Sequence, residues 1–137
     1  MVKVVNTIII KDKKLVILRK EVDGKSSWIF PGGKPEEGEA DLHCLYREIS
    51  EELPRLILYG EFKKYGNFTG TSPNNSSPIE VHSYKFVGES NYDLSVSKLP
   101  SERIKEARMA SYDELSKLAL SEVAGKIVQS LKKLDEL

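Results

Sequence analysis

Apolar runs separated by polar turns predict strands in the first quarter of the chain. Residues 2–10, VKVVNTIII, and residues 15–19, LVILR, are rich in β-branched side chains and are typical of strands. The polar KDKK between them predicts the turn of a hairpin. The polar stretch 21–27 predicts a loop, and the prolines and glycines of residues 31–39, PGGKPEEGE, argue against regular structure there.

Between residues 40 and 53 the spacing of apolar residues changes to that of a helix. Five apolar side chains fall within a stripe about 100° wide on a helical projection. They are Leu42, Leu45, Tyr46, Ile49 and Leu53. Because a residue that precedes proline disfavours the α conformation, Pro54 predicts that this helix ends at Leu53.

The next segment predicts two long strands. Residues 55–68 and 78–89 carry the apolar and aromatic content of strands, and the polar stretch 69–78 between them is rich in turn-forming residues. Residues 90–106 predict a loop. The ARMA segment, residues 107–110, predicts a short last strand.

The C-terminal part of the chain predicts helices. Ser111, followed three residues later by Glu114, forms a capping-box pattern, and an amphipathic helix is predicted from about 121 to 134. The chain shows neither an internal repeat nor a linker. Strands interspersed with helices therefore predict a single α/β domain over residues 1–137, built of packed layers.

Charge and cysteine content exclude several classes of protein. Lysine plus arginine and aspartate plus glutamate each number 21, so the formal net charge is zero and gives no sign of a nucleic-acid or membrane-surface partner. The longest apolar run is far shorter than the roughly 20 residues that span a bilayer. The single cysteine, Cys44, excludes an intramolecular disulfide and a cysteine-based zinc site. These features favour a cytoplasmic globular protein.

The predicted helix 40–53 crowds three carboxylates along one flank of its apolar stripe. Glu48, Glu51 and Glu52 stand at i, i+3 and i+4, so their oxygens can converge on one point. Mg²⁺ prefers such oxygen ligands. A charged, solvent-facing helix surface is the alternative interpretation of the same three residues.

The residues around this cluster resemble the Nudix box. Gly33 is followed after five residues by Glu39, and seven residues later by Arg47-Glu48-Ile49-Ser50-Glu51-Glu52-Leu53-Pro54-Arg55. The family pattern is G-x5-E-x7-R-E-U-x-E-E-x-G-U, in which U is aliphatic. All five charged positions match; Pro54 stands where the pattern has glycine and Arg55 where it has an aliphatic residue. The box spans 23 residues, and the order of elements around it is similar to the family's α/β/α sandwich with a mixed β-sheet.

The resemblance implies hydrolysis of a pyrophosphate bond in a nucleoside diphosphate linked to another moiety, with Mg²⁺ or Mn²⁺ as cofactor. The implied metal ligands are the Gly32 carbonyl, Glu48, Glu51 and Glu52. Arg47 would orient the carboxylates, and Gly33 and Glu39 would anchor the loop to the helix. The implied catalytic set is Glu51, Glu52, Arg47 and, as a general base on the loop before the last strand, Glu102 in preference to Glu106.

Aromatic side chains are candidates for stacking on a nucleobase, although such residues more often belong to a core. The candidates are Trp28, Tyr65, Phe68 and Tyr84. His43 and His82 are interpreted as structural or surface residues. Pro73 lies near, but not at, the position of a proline that is typical of ADP-ribose hydrolases, so the substrate stays open.

Two other hypotheses remain alongside the enzyme. One is an inactive Nudix-fold module that binds a nucleotide or regulates a partner. The crowded carboxylates argue against it, since a pure binder does not need them. The other is hydrolysis of RNA ends, which the balanced charge does not favour. The expected partner is a small nucleotide, and the sequence leaves a homodimer open.

Overall fold

The computed structural model describes residues 1–98 and 103–137, which form strands and helices in the following order. The strands are β1 Val2–Ile8, β2 Ile10–Lys11, β3 Lys14–Val22, β4 Lys25–Ile29, β5 Gly32–Gly33, β6 Leu58–Thr71, β7 Pro78–Ser90 and β8 Ile104–Ala110. The helices are α1 Asp41–Glu52, α2 Tyr112–Leu115 and α3 Glu122–Lys133.

The strands form two sheets. In the first sheet the order is β5-β1-β7-β6, with β1 parallel to β7 and the other pairs antiparallel, so this sheet is mixed. The second sheet is antiparallel and centred on β3, which pairs with β2 and β4 along one edge and with β8 along the other. A mixed sheet flanked by helices confirms the predicted α/β class.

Alternating side chains along the central strands build a core on each side. Leu15 and Ile17 of β3 pack in the core that includes α3, whereas Val16 and Leu18 pack in the core that includes α1. A strand covered on both faces is expected to be apolar at every position. This explains why LVIL is a continuous apolar run.

Four predicted loops contain strand residues, and in one of them, residues 69–78, β6 continues to Thr71 and β7 begins at Pro78. Residues 21–27 form the end of β3, a tight turn and the start of β4, because Asp23 and Gly24 both have positive φ and close a two-residue hairpin turn. Gly32–Gly33 pairs with β1, and β8 begins at Ile104 rather than at residue 107. The Asp-Gly pair was a recognisable hairpin signal in the sequence.

The buried face of α1 contains Leu45, Ile49 and Leu53 of the predicted stripe, but it excludes the other two predicted residues. Leu42 and Tyr46 are 41% and 51% exposed, whereas Cys44 is fully buried and Glu52 is only 6% exposed. The helix docks on β1 and the β5 segment, both of which approach it on its glutamate side. The local hydrophobic pattern could not predict that a carboxylate would face inward.

The C-terminal helices agree with the prediction. Ser111 and Glu114 form the predicted capping box at α2, and the Ser121 hydroxyl accepts a hydrogen bond from the Ala124 N–H at the start of α3. None of the helices in residues 1–98 and 103–137 is long and apolar enough to cross a membrane.

Candidate functional site

The inward-facing carboxylate of Glu52 is held by the backbone of the β5 segment. Its Oε1 accepts a hydrogen bond from the Gly32 N–H at 3.0 Å. A carboxyl group that is only 6% exposed requires such a partner, since burying a polar group without one costs several kcal/mol. This hydrogen bond joins the end of α1 to the glycine segment, Gly32–Gly33, through a buried carboxylate, which helices rarely turn toward a core.

The two adjacent glycines are required for different reasons. Gly32 has φ of 151°, and a Cβ there would lie 2.1 Å from the Val5 carbonyl oxygen. At Gly33 the obstacle is a side chain, because a Cβ would lie 2.4 to 2.7 Å from the carboxyl atoms of Glu48. Gly32 thus permits close strand pairing, and Gly33 leaves space for the Glu48 carboxylate.

Arg47 connects the loop before α1 to the glutamates on the helix. Its Nε and Nη2 each lie 2.8 Å from a different oxygen of Glu39, which is the strong bidentate geometry of an arginine–carboxylate pair. Its Nη1 lies 3.0 Å from Glu48 Oε1 and 3.5 Å from Glu51 Oε1. Nη2 also donates to the Lys34 carbonyl at 3.2 Å. One guanidinium therefore fixes the loop and two of the three glutamates.

The hydrogen bonds to Glu39 hold it in its charged form. Its Oε1 also accepts from the Glu36 N–H at 3.0 Å. Hydrogen bonds from Arg47 and from this backbone N–H lower the pKa of Glu39 to about 2. Next to this pair, burial raises the pKa of the Cys44 thiol to about 11, and the carboxylate of Glu39 acts in the same direction. Cys44 is therefore a protonated, unreactive thiol, whose Sγ donates to the Gly33 carbonyl at 3.7 Å.

A cavity of about 440 Å³ opens beside the glutamates, and its charged end holds groups of both signs. Glu48 and Glu52 line it together with the cations Lys20, Lys34 and Arg103. Burial lowers the pKa of Lys20 below its ordinary value; neighbouring cations act in the same direction and Glu52 opposes them. Cations that face carboxylates across a cavity of this size suit a small polyanion.

Another part of the cavity lining comes from two elements that are distant in sequence. One is the turn between β6 and β7, which contributes Ser72, Pro73, Asn74, Asn75 and Ser77. The other is the start of α3, where Ser121, Val123 and Ala124 line the wall. This part of the lining combines apolar side chains with amide and hydroxyl groups, as expected of a pocket for an organic group rather than for a second charge cluster.

The sequence prediction missed the cavity cations and the β6–β7 turn. Lys20 lies in β3, Lys34 follows β5, and Arg103 directly precedes β8. These segments meet only because of strand pairing, so their spacing in the sequence carried no pattern. Pro73, which the sequence singled out, is among the lining residues.

The four aromatic candidates lie elsewhere among the described residues. Trp28 is a core residue, 5% exposed, whose ring lies against the Arg108 guanidinium at 4.5 Å. The Tyr65 hydroxyl is 2.6 Å from Ser130 Oγ, and Phe68 packs on the α3 core beside it. Tyr84 donates to Asp41 at 2.5 Å. None of these four residues is among the described residues that line the cavity.

Of the two glutamates that the sequence offered as a general base before the last strand, the structure places only Glu106. Glu102 lies outside the described residues. Glu106 belongs to β8, where its Oε1 accepts from Arg19 Nε at 2.8 Å. His82, interpreted as a structural or surface residue, is half-buried between Glu80, at 2.5 Å, and Asp41 at the start of α1, at 3.7 Å.

The departures from the motif affect the chain only after the glutamates. Leu53 ends the helix with φ of −129° and ψ of 71°, so the helix does not use a left-handed terminal residue. Pro54 and Arg55 are exposed, and Leu56, 8% exposed, enters the core instead. The aliphatic position of the motif is thus shifted by one residue, and Glu52 keeps its buried place.

The donor set fits a hard divalent cation in its chemistry. Glu48 and Glu52 line the cavity, Glu51 on the same helix has a side chain 49% exposed, and all three offer oxygen ligands. Within residues 1–98 and 103–137 no group of three acidic, histidine or cysteine side chains already converges as a metal site. Arg47 accounts for this arrangement, because its Nη1 draws Glu48 and Glu51 toward itself.

The fold and the glutamate site define a member of a known class of domains. The model of the NUDIX domain family matches residues 2–131, and the chain belongs to that family. A curated relative, the RNA pyrophosphohydrolase of Sulfurovum sp. (strain NBC37-1), is 29% identical over 102 residues. A second, the 8-oxo-dGTP diphosphatase of Buchnera aphidicola subsp. Acyrthosiphon pisum (strain APS), is 38% identical over 53 residues.

The matched segments cover 68% and 39% of this chain, and 64% and 43% of the lengths of those two relatives.

Solved structures resemble the chain over more of its length. The E. coli ORF135 protein superimposes with a TM-score of 0.75 at 20% identity, covering 98% of this chain and 91% of that one. The MutT NUDIX hydrolase from Burkholderia pseudomallei gives 0.74 at 18% identity, covering 93% and 95%. At these identities the likeness concerns the fold.

Proposed function

We propose that the chain is a pyrophosphohydrolase that cleaves a nucleoside diphosphate linked to another moiety, with Mg²⁺ as its cofactor and Mn²⁺ as a substitute. The observation that carries the proposal is the shared cavity end, where Glu48 and the buried Glu52 face Lys20, Lys34 and Arg103. Carboxylates and cations around one space match a phosphate chain that arrives with a divalent cation.

Glu48 and Glu52 are the proposed principal ligands, with Glu51 and the Gly32 carbonyl completing the set. A bound cation would polarise phosphate oxygens and lower the pKa of its water. The chain's own part is positional: Gly32 fixes Glu52 through its N–H, and Arg47 holds the Glu48 carboxylate beside the cavity. Arg47 is a positioning residue, since it acts through the carboxylates.

Lys20, Lys34 and Arg103 are proposed to hold the phosphate oxygens that the cation does not reach. Charge stabilisation of this kind supplies most of the catalysis in phosphoryl transfer. The base or sugar would occupy the far end of the cavity, near Asn74 and Ser121. A cavity of about 440 Å³ suits a nucleotide, so we favour a small substrate over a long RNA.

The curated relatives support the reaction type, because both are named for cleavage of a phosphate anhydride. Their names differ in substrate, and the substrate therefore has to come from experiment. The test is a panel that contains 8-oxo-dGTP, ADP-ribose, dinucleoside polyphosphates, nucleotide sugars and an RNA with a 5′-triphosphate. Phosphate and nucleotide products would be measured with Mg²⁺, with Mn²⁺ and with EDTA.

We expect turnover of one panel member that EDTA abolishes. Calorimetry on the same samples gives nucleotide binding separately from turnover. If the chain binds a nucleotide tightly but cleaves no member of the panel with either metal, the proposed pyrophosphohydrolase activity is refuted. The hypothesis of an inactive nucleotide-binding module then remains. Preferential cleavage of the RNA would refute the proposal of a small substrate but not the proposed type of reaction.

A further inference from the structure

Strand β6 is the open edge of the mixed sheet. It is 14 residues long and, in the described part of the chain, pairs with β7 on one side and with no strand on the other. Side chains of α3 already bond its far end: Lys126 Nζ donates to the Thr69 carbonyl at 2.6 Å, and Glu122 accepts from the Thr71 N–H at 3.3 Å. Among described residues, no other element bonds the outer backbone of residues 58–64 in this way. A row of free backbone groups is a template for another strand.

Exposed aromatic and aliphatic side chains flank this open segment. Tyr59 is 65% exposed and Ile57 is 48% exposed. On the face that carries α1, Tyr46 is 51% exposed although its ring contacts Phe62 of β6, with centroids 5.1 Å apart. Apolar groups that border an unpaired edge mark a site of association more than scattered surface residues do.

The charges on the open segment are complementary to themselves. Glu61 and Lys63 lie on one face of β6 with side chains 69% and 63% exposed, and their charged groups are 3.5 Å apart within the strand, an exposed contact that leaves both side chains accessible to a second strand. If two copies of β6 pair antiparallel about Phe62, each Glu61 lies opposite the partner subunit's Lys63. A shift of two residues in one direction places Glu61 opposite itself, and a shift in the other direction places Lys63 opposite itself. Cross-strand opposite charges are favourable and like charges are not, so the register centred on Phe62 is selected.

We propose that β6 pairs antiparallel with β6 of a second copy of this chain, about a two-fold axis at Phe62. The two four-stranded mixed sheets then become one continuous sheet, and Tyr46 of each copy lies beside the junction. Such a contact is isologous and closes as a dimer. Lysines on edge strands often prevent pairing, but Lys63 here has a carboxylate to face in the symmetric register. The formal net charge of zero adds no long-range repulsion between copies.

This dimer is independent of the proposed reaction, because neither Glu61 nor Lys63 lines the cavity. The test is sedimentation equilibrium of the full chain from low micromolar to millimolar concentration. We expect a monomer–dimer equilibrium in the unmodified protein. Glu61→Lys places like charges opposite each other twice per dimer, so we expect dimerisation about tenfold weaker. Lys63→Glu should weaken it similarly.

The double variant Glu61→Lys with Lys63→Glu restores both pairs and is expected to dimerise within about threefold of the unmodified protein. Asp113→Lys and Lys117→Glu are matched controls, since they make the same charge changes at exposed positions of α2 and of the segment after it. Circular dichroism confirms that each variant is folded. A monomer at every concentration overturns the proposal, and so does a dimer that responds to Glu61→Lys no more than to Asp113→Lys.

Discussion

The helices α1 and α3 have the same length, 12 residues each, and cover opposite faces of the strands, yet they are built differently. α3 has a serine N-cap, a glutamate in its first turn, two lysines in its last turn and five buried residues, all of them apolar. α1 has Ala40 at its N-cap without a side-chain hydrogen bond, no basic residue in its last turn, and Glu52 among its buried residues.

This difference separates a helix that stabilises the fold from one that carries the site. Each feature of α3 follows the rules for a stable helix. Two of these features, the buried Glu52 and the last turn without a basic residue, lie at the end of α1 that meets the glycine segment, whereas the missing cap lies at the other end. Proteins accept such local losses where a functional group must be held in place.

The largest expected effect is the loss of activity on changing the buried carboxylate of α1. Glu52→Gln keeps an acceptor for the Gly32 N–H but removes the charge that the proposed cation needs. We expect hydrolysis to fall by at least about a hundredfold, while the thermal midpoint stays or rises because a buried charge is gone. Steady-state kinetics and a melting curve on one sample test both. Unchanged metal-dependent turnover would show that Glu52 is not a ligand.

The contrasting change in α3 should affect stability and not catalysis. Leu131 is fully buried, so Leu131→Ala is expected to lower the free energy of unfolding by about 2–5 kcal/mol. The activity per folded molecule should remain, since Leu131 does not line the cavity. Denaturant unfolding gives the first quantity, and kinetics under conditions where the variant is folded give the second. A fall in kcat with intact folding would show that the two helices are less separate than we infer.

Replacing the guanidinium of α1 tests how the site is positioned. Arg47→Lys keeps a positive charge but cannot form the bidentate pair with Glu39, and we expect activity to fall by about ten- to a hundredfold. The same variant should change the response to acid. The pKa of Glu39 is lowered to about 2 in the folded protein from an ordinary value of 4.5.

A lowered folded pKa stabilises the protein above pH 4.5, and this stabilisation is lost as the pH falls from 4.5 toward 2. We therefore expect the melting temperature of the unmodified protein to fall more steeply in that interval than that of Arg47→Lys. Melting curves at several pH values measure the difference. Parallel curves for the two proteins would mean that Arg47 does not set the pKa of Glu39.

The smallest expected effect concerns the helix caps. Ser121→Ala removes the cap of α3 and should destabilise the protein by about 1 kcal/mol. Ala40→Ser offers α1 the cap that it lacks and should stabilise by a few tenths to about 1 kcal/mol, with little change in activity. Equilibrium unfolding in urea distinguishes the signs. If Ala40→Ser lowers activity sharply, the uncapped start of α1 is itself needed by the site.

Much of the site could be predicted from the sequence because its residues are local. Glu39, Arg47, Glu48 and Glu52 lie within 14 consecutive residues, so helical spacing and motif resemblance were enough to group them. The strands and the capped helices were predicted for the same reason, since β-branched runs and capping boxes act over a few residues. The 23–24 hairpin was missed although its Asp-Gly turn was visible.

Other features were decided only by the tertiary structure. The apolar stripe of α1 predicted that Leu42 and Tyr46 face inward, but docking on the glycine segment leaves both exposed and buries Glu52. The cations of the cavity come from β3, from the loop after β5 and from the residue before β8. Only the order of the strands brings these three segments together. Local spacing determines which side chains share one face of one element. Which elements face each other depends on packing across the whole chain, and that decided where the carboxylates meet their counter-charges.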